Sequence, residues 1–316
     1  MQRIFITGGT GFFGKSILDY RLRHPEFLAD AELTILSRDP AAFIAANPRL
    51  AKQPSISFMQ GDVRDFTLTD ANFDTIIHAA TAAVTTLSDD EMSSTIVDGT
   101  RHVLEFAKVC GAKRILFTSS GAVYGPQTVA VGEEAQSNPT TAYGRGKLAA
   151  ERLCIESGIP TCIARCFAFT GPYLNRRIHF AIGNFIQDCL DGKDIVIKGD
   201  GTPLRSYLYA DDLVEWLFAI LDCGEPGRPY NVGSPEGLSI RELAETVRAA
   251  LGTENEIKIL GSLSTNFTNS TNSNHPDNSW TKPAPSTYVP IITRAKTELG
   301  LSVTVPLSEA IRLSAV

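Results

Sequence analysis

The segment Thr7-Gly8-Gly9-Thr10-Gly11-Phe12-Phe13-Gly14, set directly after a β-branched run at residues 3–7, constrains this chain more than any other feature. Glycines at 8, 11 and 14 fall where a first strand turns into a first helix. There, a missing side chain lets backbone amides approach a pyrophosphate at the positive helix end. A glycine turn alone is a weak signal. Its position at the start of a strand–helix–strand alternation makes it a dinucleotide fingerprint, with Gly8, Gly11, Phe12, Phe13 and Gly14 as expected cofactor contacts.

The alternation continues through the first half of the chain. The pattern predicts strands at 3–7, 32–36, 56–60, 75–78, 114–118 and 161–165, separated by helices that include 11–23, 91–110 and 142–157. Each step then reads as a right-handed crossover, which gives an α/β, doubly wound Rossmann-type parallel sheet. Beyond 165 the order becomes irregular, with helices expected near 181–190, 211–221 and 239–251 and a strand at 195–198. The expected division is a dinucleotide-binding domain at 1–165 with a return segment at 206–232. A smaller interleaved substrate lobe takes 166–205 and 233–316. Residues 262–286, rich in Ser, Thr, Asn and Pro, read as a long exposed loop.

Composition removes several alternatives. Lys and Arg number 29 against 35 Asp and Glu, a net charge of −6, so no strong field attracts nucleic acid or anionic lipid. No apolar run approaches the roughly 18 residues of a membrane helix, and 2–7 reads as a core strand where a signal peptide would sit. The expectation is a cytoplasmic protein. The six cysteines form no Cys-x-x-Cys pair and read as reduced packing residues, and the five histidines lie at no metal-ligand spacing. Two glycosylation sequons, at Asn266 and Asn269, read as chance.

The end of the second strand bears on which nicotinamide cofactor is bound. An acidic residue there would accept from the ribose 2′-hydroxyl and repel a 2′-phosphate, whereas this chain has Ser37-Arg38-Asp39. A hydroxyl followed by a guanidinium suits a phosphate, so NADP is favoured over NAD. In the alternative, Asp39 reaches the ribose and Arg38 stacks on adenine. Asp62 and Val63 close the third strand, where a carboxylate can accept from the adenine amino group or serve as a helix cap. The small residues Ala79 and Ala80 leave room for the dinucleotide after His78, which reads as a packed strand-end histidine.

Chemistry enters with the fifth strand, which runs into Thr118-Ser119-Ser120, and with Tyr143-Gly144-Arg145-Gly146-Lys147 on a following helix. Tyr and Lys four apart share one helical face, where an ammonium is expected to lower the phenol's pKa and make it a usable acid or base. A strand-end serine can hydrogen-bond the substrate oxygen that exchanges the proton.

Together these segments resemble the extended short-chain dehydrogenase/reductase family that contains the nucleotide-sugar epimerases, dehydratases and reductases. The resemblance covers nearly the whole chain. It implies Ser120, Tyr143 and Lys147 as the catalytic set, Gly8, Gly11, Gly14 and Asp62 as cofactor positions, and a homodimer formed through a helix pair. In the second lobe it implies that Arg205, in Gly199-Asp200-Gly201-Thr202-Pro203-Leu204-Arg205, and Asn184 meet the diphosphate of a nucleotide-diphosphate sugar. The competing reading of Arg205 is a surface ion pair with Asp211 or Asp212.

Three positions depart from the family pattern. Gly121 and Ala122 replace the Asp-Glu pair that dehydratases use to eliminate water. Ala168 replaces an asparagine after Phe167, and Ile96 replaces a cofactor-proximal asparagine. The expected activity is reduction by NADPH of the 4-keto group of a nucleotide-linked 4-keto-6-deoxyhexose. A 4-epimerase that retains NAD is the runner-up, and an inactive cofactor-binding sensor comes third.

Overall fold

The computed structural model describes residues 2–68, 71–81, 87–178, 180–261 and 286–316. In chain order the first elements are β1 (Gln2–Thr7), α1 (Phe12–Arg23), β2 (Ala31–Ser37), α2 (Pro40–Ala46), α3 (Pro48–Ala51), β3 (Ile56–Gln60) and β4 (Thr75–His78). Next come α4 (Asp89–Val109), β5 (Arg114–Ser120), α5 (Ala142–Glu156), β6 (Thr161–Cys166), β7 (Phe169–Thr170), α6 (Ala181–Leu190), β8 (Ile195–Ile197), β9 (Leu204–Arg205) and β10 (Leu208–Tyr209). The remainder is α7 (Ala210–Cys223), β11 (Pro229–Val232), β12 (Leu238–Ser239), α8 (Ile240–Leu251), β13 (Ile257–Ile259), β14 (Thr287–Tyr288), α9 (Thr293–Leu299) and α10 (Leu307–Ser314).

Seven strands form one parallel sheet in the order β11-β6-β5-β4-β1-β2-β3. Buried on both faces, its central strands read as apolar runs, as in β4, where all four residues are buried. On one face Ile17, Leu18, Leu213 and Leu217 of α1 and α7 join the strand residues in a core. On the other, Val103, Phe106, Ala150 and Cys154 of α4 and α5 do the same. Strand order reverses at β1, between β2 and β4, and Thr7 and His78 are register partners at the carboxyl ends of these strands, the switch point where doubly wound sheets hold ligands.

Local signals set the helices around that switch point. A capping box between Ser88 and Glu91 starts α4, and the Thr141 hydroxyl accepts from the Gly144 amide to start α5. In the second lobe, α6 and α8 pack with β8 through Ile182, Phe185, Ile195, Leu243 and Val247. A second capping box, Ser239 with Glu242, starts α8, and Gly252 in the left-handed region ends it.

The sequence pattern misses β11, which enters the central sheet beside β6. Pro229 and Asn231 break its apolar reading, yet Asn231 is fully buried because its side chain is satisfied. Its amide nitrogen donates to the Val131 and Ile291 carbonyls and its oxygen accepts from Tyr124. The two-residue strands β7, β9, β10, β12 and β14 are too short for periodicity to reveal. The expected exposed loop falls outside the described residues except for Ser286, which leads into β14, and both sequons also lie outside them. All six cysteines are free, five of them buried. Among the described residues no helix is long and apolar enough to cross a membrane, and no cluster suited to a metal ion occurs.

Candidate active site

The glycine turn is built for close backbone approach. Gly8 sits at φ +72°, and a Cβ there would lie 2.5 Å from the Ala79 carbonyl carbon and 2.7 Å from the Ala80 nitrogen. A Cβ on Gly14 would lie 2.1 Å from the Gly9 Cα, so only glycine lets the first turn of α1 pack on the loop. No side chain caps α1 and its first turn carries no acid, which leaves its amides and positive end available to an anion. These features fit a dinucleotide pyrophosphate. Phe12 and Phe13 have a second occupation: their rings lie 6.5 and 5.3 Å from that of Phe169, tying the turn to β7.

His78 holds the opposite wall. The Ala80 amide donates to Thr7 Oγ1 at 3.1 Å, which leaves the Thr7 hydroxyl proton for His78 Nδ1 at 2.8 Å. Thr100 Oγ1 donates to the Ile96 carbonyl at 2.6 Å and so accepts from His78 Nε2 at 3.0 Å. This sequence of donors fixes the Nε2–H tautomer. Burial, and then the Lys147 charge, push the imidazole down to about 3, so it is a neutral structural connector between β1, β4 and α4.

At the end of β2, Ser37 is buried and accepts from the Asp39 amide at 3.3 Å. The Asp39 carboxylate caps α2 by accepting from the Ala42 amide at 2.9 Å. Arg38 is exposed, and its guanidinium has no ion pair among the described residues. Asp62 is not free: it accepts from the Arg64 amide at 3.1 Å and from the Arg64 guanidinium at 2.8 Å, which holds its carboxyl below the usual range. Val63 is buried against Gly99, where a Cβ would come within 2.9 Å of it.

Ser120, Tyr143 and Lys147 converge at the carboxyl end of β5. Ser120 Oγ accepts from the Ala122 amide at 3.1 Å, which leaves its proton free to donate, and its hydroxyl acts to lower the pKa of the Tyr143 phenol. Lys147 is buried and donates to Thr81 Oγ1 at 2.6 Å and to the Thr118 carbonyl at 2.7 Å, with one proton left over. Beneath them lies a buried ion pair in which Arg165 donates to Glu151 at 2.8 and 3.0 Å. Ser119 donates to the same carboxylate, and the Arg165 guanidinium stacks 4.8 Å from the Tyr124 ring. Because Glu151 lies one turn beyond Lys147, the pair locks α5 to β5 and β6.

One expectation fails here. Burial pushes Tyr143 up to about 12, and the Lys147 ammonium, 5.9 Å from the ring centre, does not offset it. Burial also lowers Lys147 to about 8. Desolvation outweighs the paired charge at this distance, so Tyr143 is held as a protonated acid.

The substrate-side candidates are more dispersed. Arg205 donates to the Leu204 carbonyl at 2.7 Å and the Ser286 carbonyl at 3.1 Å. It makes no ion pair with Asp211, which pairs with Arg23, or with Asp212, which accepts from Thr304 and Val305. Asn184 is half-buried on α6, and its side chain makes no hydrogen bond among the described residues. Ile96 fills its position with hydrocarbon packed on Gly146. The sequence reading missed Tyr288 on β14. Its hydroxyl lies 3.4 Å from Ser120 Oγ, and no motif announces it because 168 residues separate the two.

Comparison with known proteins agrees with this geometry. The family described as NAD dependent epimerase/dehydratase matches residues 4–233. UDP-glucuronic acid decarboxylase 6 of Arabidopsis thaliana is 31% identical over 99% of this chain and 87% of its own length. Low-salt glycan biosynthesis protein Agl12 of Haloferax volcanii is 28% identical over 81% of this chain and 85% of its own length. The solved UDP-glucuronic acid 4-epimerase from Bacillus cereus, in complex with UDP-glucuronic acid and NAD, matches with a TM-score of 0.81. It is 24% identical, with 99% of this chain and 98% of that one covered, which is a likeness of fold. The chain therefore belongs to the NAD dependent epimerase/dehydratase family, a family of enzymes acting on nucleotide sugars.

Proposed function

We propose that this chain reduces the 4-keto group of a nucleoside-diphosphate 4-keto-6-deoxyhexose with NADPH. The observation that carries the proposal is the end of β2: the exposed Arg38 guanidinium makes no ion pair among the described residues, the adjacent Asp39 carboxylate caps α2, and Asp62, which feels the Arg38 charge, is bound by Arg64. A free guanidinium beside a buried serine suits a 2′-phosphate, and net reduction draws on the phosphorylated cofactor.

The bound dinucleotide would supply a hydride at the substrate carbonyl. The chain's own groups do the rest: Tyr143, held protonated, gives a proton to the carbonyl oxygen, and Ser120 donates a hydrogen bond to it. Lys147 orients the cofactor ribose with its remaining proton, and Arg205 and Asn184 face the substrate diphosphate. Elimination of water is disfavoured because Gly121 and Ala122 carry no carboxylate.

A 4-epimerase that retains NAD uses the same three residues and is the second reading, favoured by the fold likeness to the Bacillus cereus 4-epimerase. The test identifies any copurified cofactor by mass spectrometry. It then follows NADPH oxidation with UDP- and dTDP-linked 4-keto-6-deoxyglucose, and product formation from UDP-glucose and UDP-glucuronic acid with NAD. Stoichiometric NADPH oxidation supports the reductase. Interconversion of 4-epimers or loss of carbon dioxide without net oxidation overturns it.

A further inference from the structure

We infer that Tyr288 supplies a third hydroxyl donor to the carbonyl oxygen that Ser120 and Tyr143 address, an inference that rests on the ketone chemistry proposed above. Three elements deliver these hydroxyls: the end of β5, the first turn of α5, and β14. Tyr288 Oη lies 3.4 Å from Ser120 Oγ and 3.5 Å from the Cys166 carbonyl, both too long for committed hydrogen bonds. Spent only on these long contacts, its proton can turn to a substrate oxygen. Burial raises the Tyr288 pKa, and a charge on Tyr143 would raise it further.

Tyr288 is placed by its packing. Its ring lies 4.8 Å from that of Phe167, and in the parallel pairing of β14 with β9 its register partner is Arg205. The residue proposed to hold the substrate diphosphate and a hydroxyl at the reacting carbon therefore sit side by side on adjacent strands. Substrate held by Arg205 is presented to Tyr288 without any rearrangement of this small sheet.

A bound reduced dinucleotide would supply a hydride to C4 while the carbonyl π pair moves onto O4; Tyr143 gives O4 its proton to complete the alcohol, and solvent returns a proton to Tyr143. Tyr288 transfers nothing. It donates a hydrogen bond that strengthens as charge gathers on O4, in the manner of an oxyanion donor.

The experiment compares the parent with Tyr288→Phe, which keeps the ring, and Tyr288→Ala, which removes it. Tyr288→Phe should lower kcat by about 10² to 10³, the usual cost of one oxyanion donor, with KM and NADPH affinity nearly unchanged. Tyr288→Ala should lose kcat equally and raise KM as well. Parent-like kcat in Tyr288→Phe overturns the inference and leaves only a packing role; so does a rate loss accompanied by lost NADPH binding. Rates are read on whichever reaction the parent performs. A parent that epimerises with NAD defeats the reductase proposal, while a slowed Tyr288→Phe epimerase still upholds the hydroxyl at O4.

Discussion

The ring of Phe167 occupies the space that a side chain at Gly121 would need: a Cβ at that position would lie 2.8 Å from two of the ring's carbons. Phe167 is in turn held between Tyr124 and Tyr288, with ring centres 6.3 and 4.8 Å away. The absence of an acid at 121 is therefore matched by the packing around that position.

Grafting the dehydratase acid pair as Gly121→Asp with Ala122→Glu should fail to create a dehydratase. It should also destabilise the protein by roughly 1–3 kcal/mol, because an aromatic wedged between two neighbours has little room to move. A thermal melt and an assay for 4-keto product from dTDP-glucose check this together. Unchanged melting with new dehydratase activity would show that Phe167 yields easily.

The pH dependence of reduction separates Tyr143 from Lys147. Tyr143, raised to about 12, stays protonated through neutral and mildly alkaline pH, so it imposes no limb there. Lys147, lowered to about 8, loses its charge in that range. The rate should therefore fall as pH rises through about 8. Tyr143→Phe should lose about 10² to 10⁴ in rate at every pH with cofactor affinity preserved. Lys147→Ala should weaken both rate and cofactor binding. A parent rate that stays level well beyond pH 8 would show that the lysine charge is unnecessary.

His78 makes the fold sensitive to acid. Its folded pKa of about 3 lies below the unfolded value of 6.5, so the unfolded chain binds the extra proton between these limits. Stability from this group is complete above about pH 6.5 and declines as pH falls toward 3, by a few kcal/mol in all. His78→Gln should be less stable than the parent at pH 7, having lost the relay from Thr7 to Thr100. It should nevertheless lose less on acidification. Equal acid sensitivity in both would assign the effect to other groups.

How much of this was legible in the sequence follows the range of the interactions. Gly8, Gly11 and Gly14 announce their turn because the constraint is local, and Tyr143 and Lys147 announce a shared face because helical spacing is fixed. The identity of the Lys147 partners, Thr81 and Thr118, depends on strand order, which no local pattern encodes. Burial misled the pKa expectation for Tyr143, since periodicity marks which face is covered and not how deeply. Tyr288 was illegible for a related reason: β14 is two residues long and reaches the site only through its pairing with β9. Asp62 looked like an open acceptor until the fold set Arg64 against it.

Cofactor choice is the most discriminating prediction, because reductase and epimerase readings divide on it. The Arg38 guanidinium is exposed and makes no ion pair among the described residues, Ser37 lies buried beside it, and the Asp39 carboxylate accepts from the Ala42 amide. A charge-assisted pair between Arg38 and a 2′-phosphate is worth roughly 1.5–3 kcal/mol. Its loss corresponds to about a 10- to 150-fold drop in affinity at 1.4 kcal/mol per decade. Arg38→Ala should therefore erase or reverse a preference for NADPH and leave NADH binding little changed, because NADH presents only hydroxyls at that point. Titrations of both reduced cofactors into parent and variant must share one ionic strength, since salt screens an exposed phosphate contact. A second variant, Asp39→Asn, should preserve the preference, because the carboxylate serves α2 and its amide replacement can still cap. Tighter binding of NADH than NADPH by the parent would remove the role of Arg38. It would also place the 4-epimerase ahead of the reductase, because a cofactor that is never released in net reduced form gives no advantage to the phosphorylated dinucleotide.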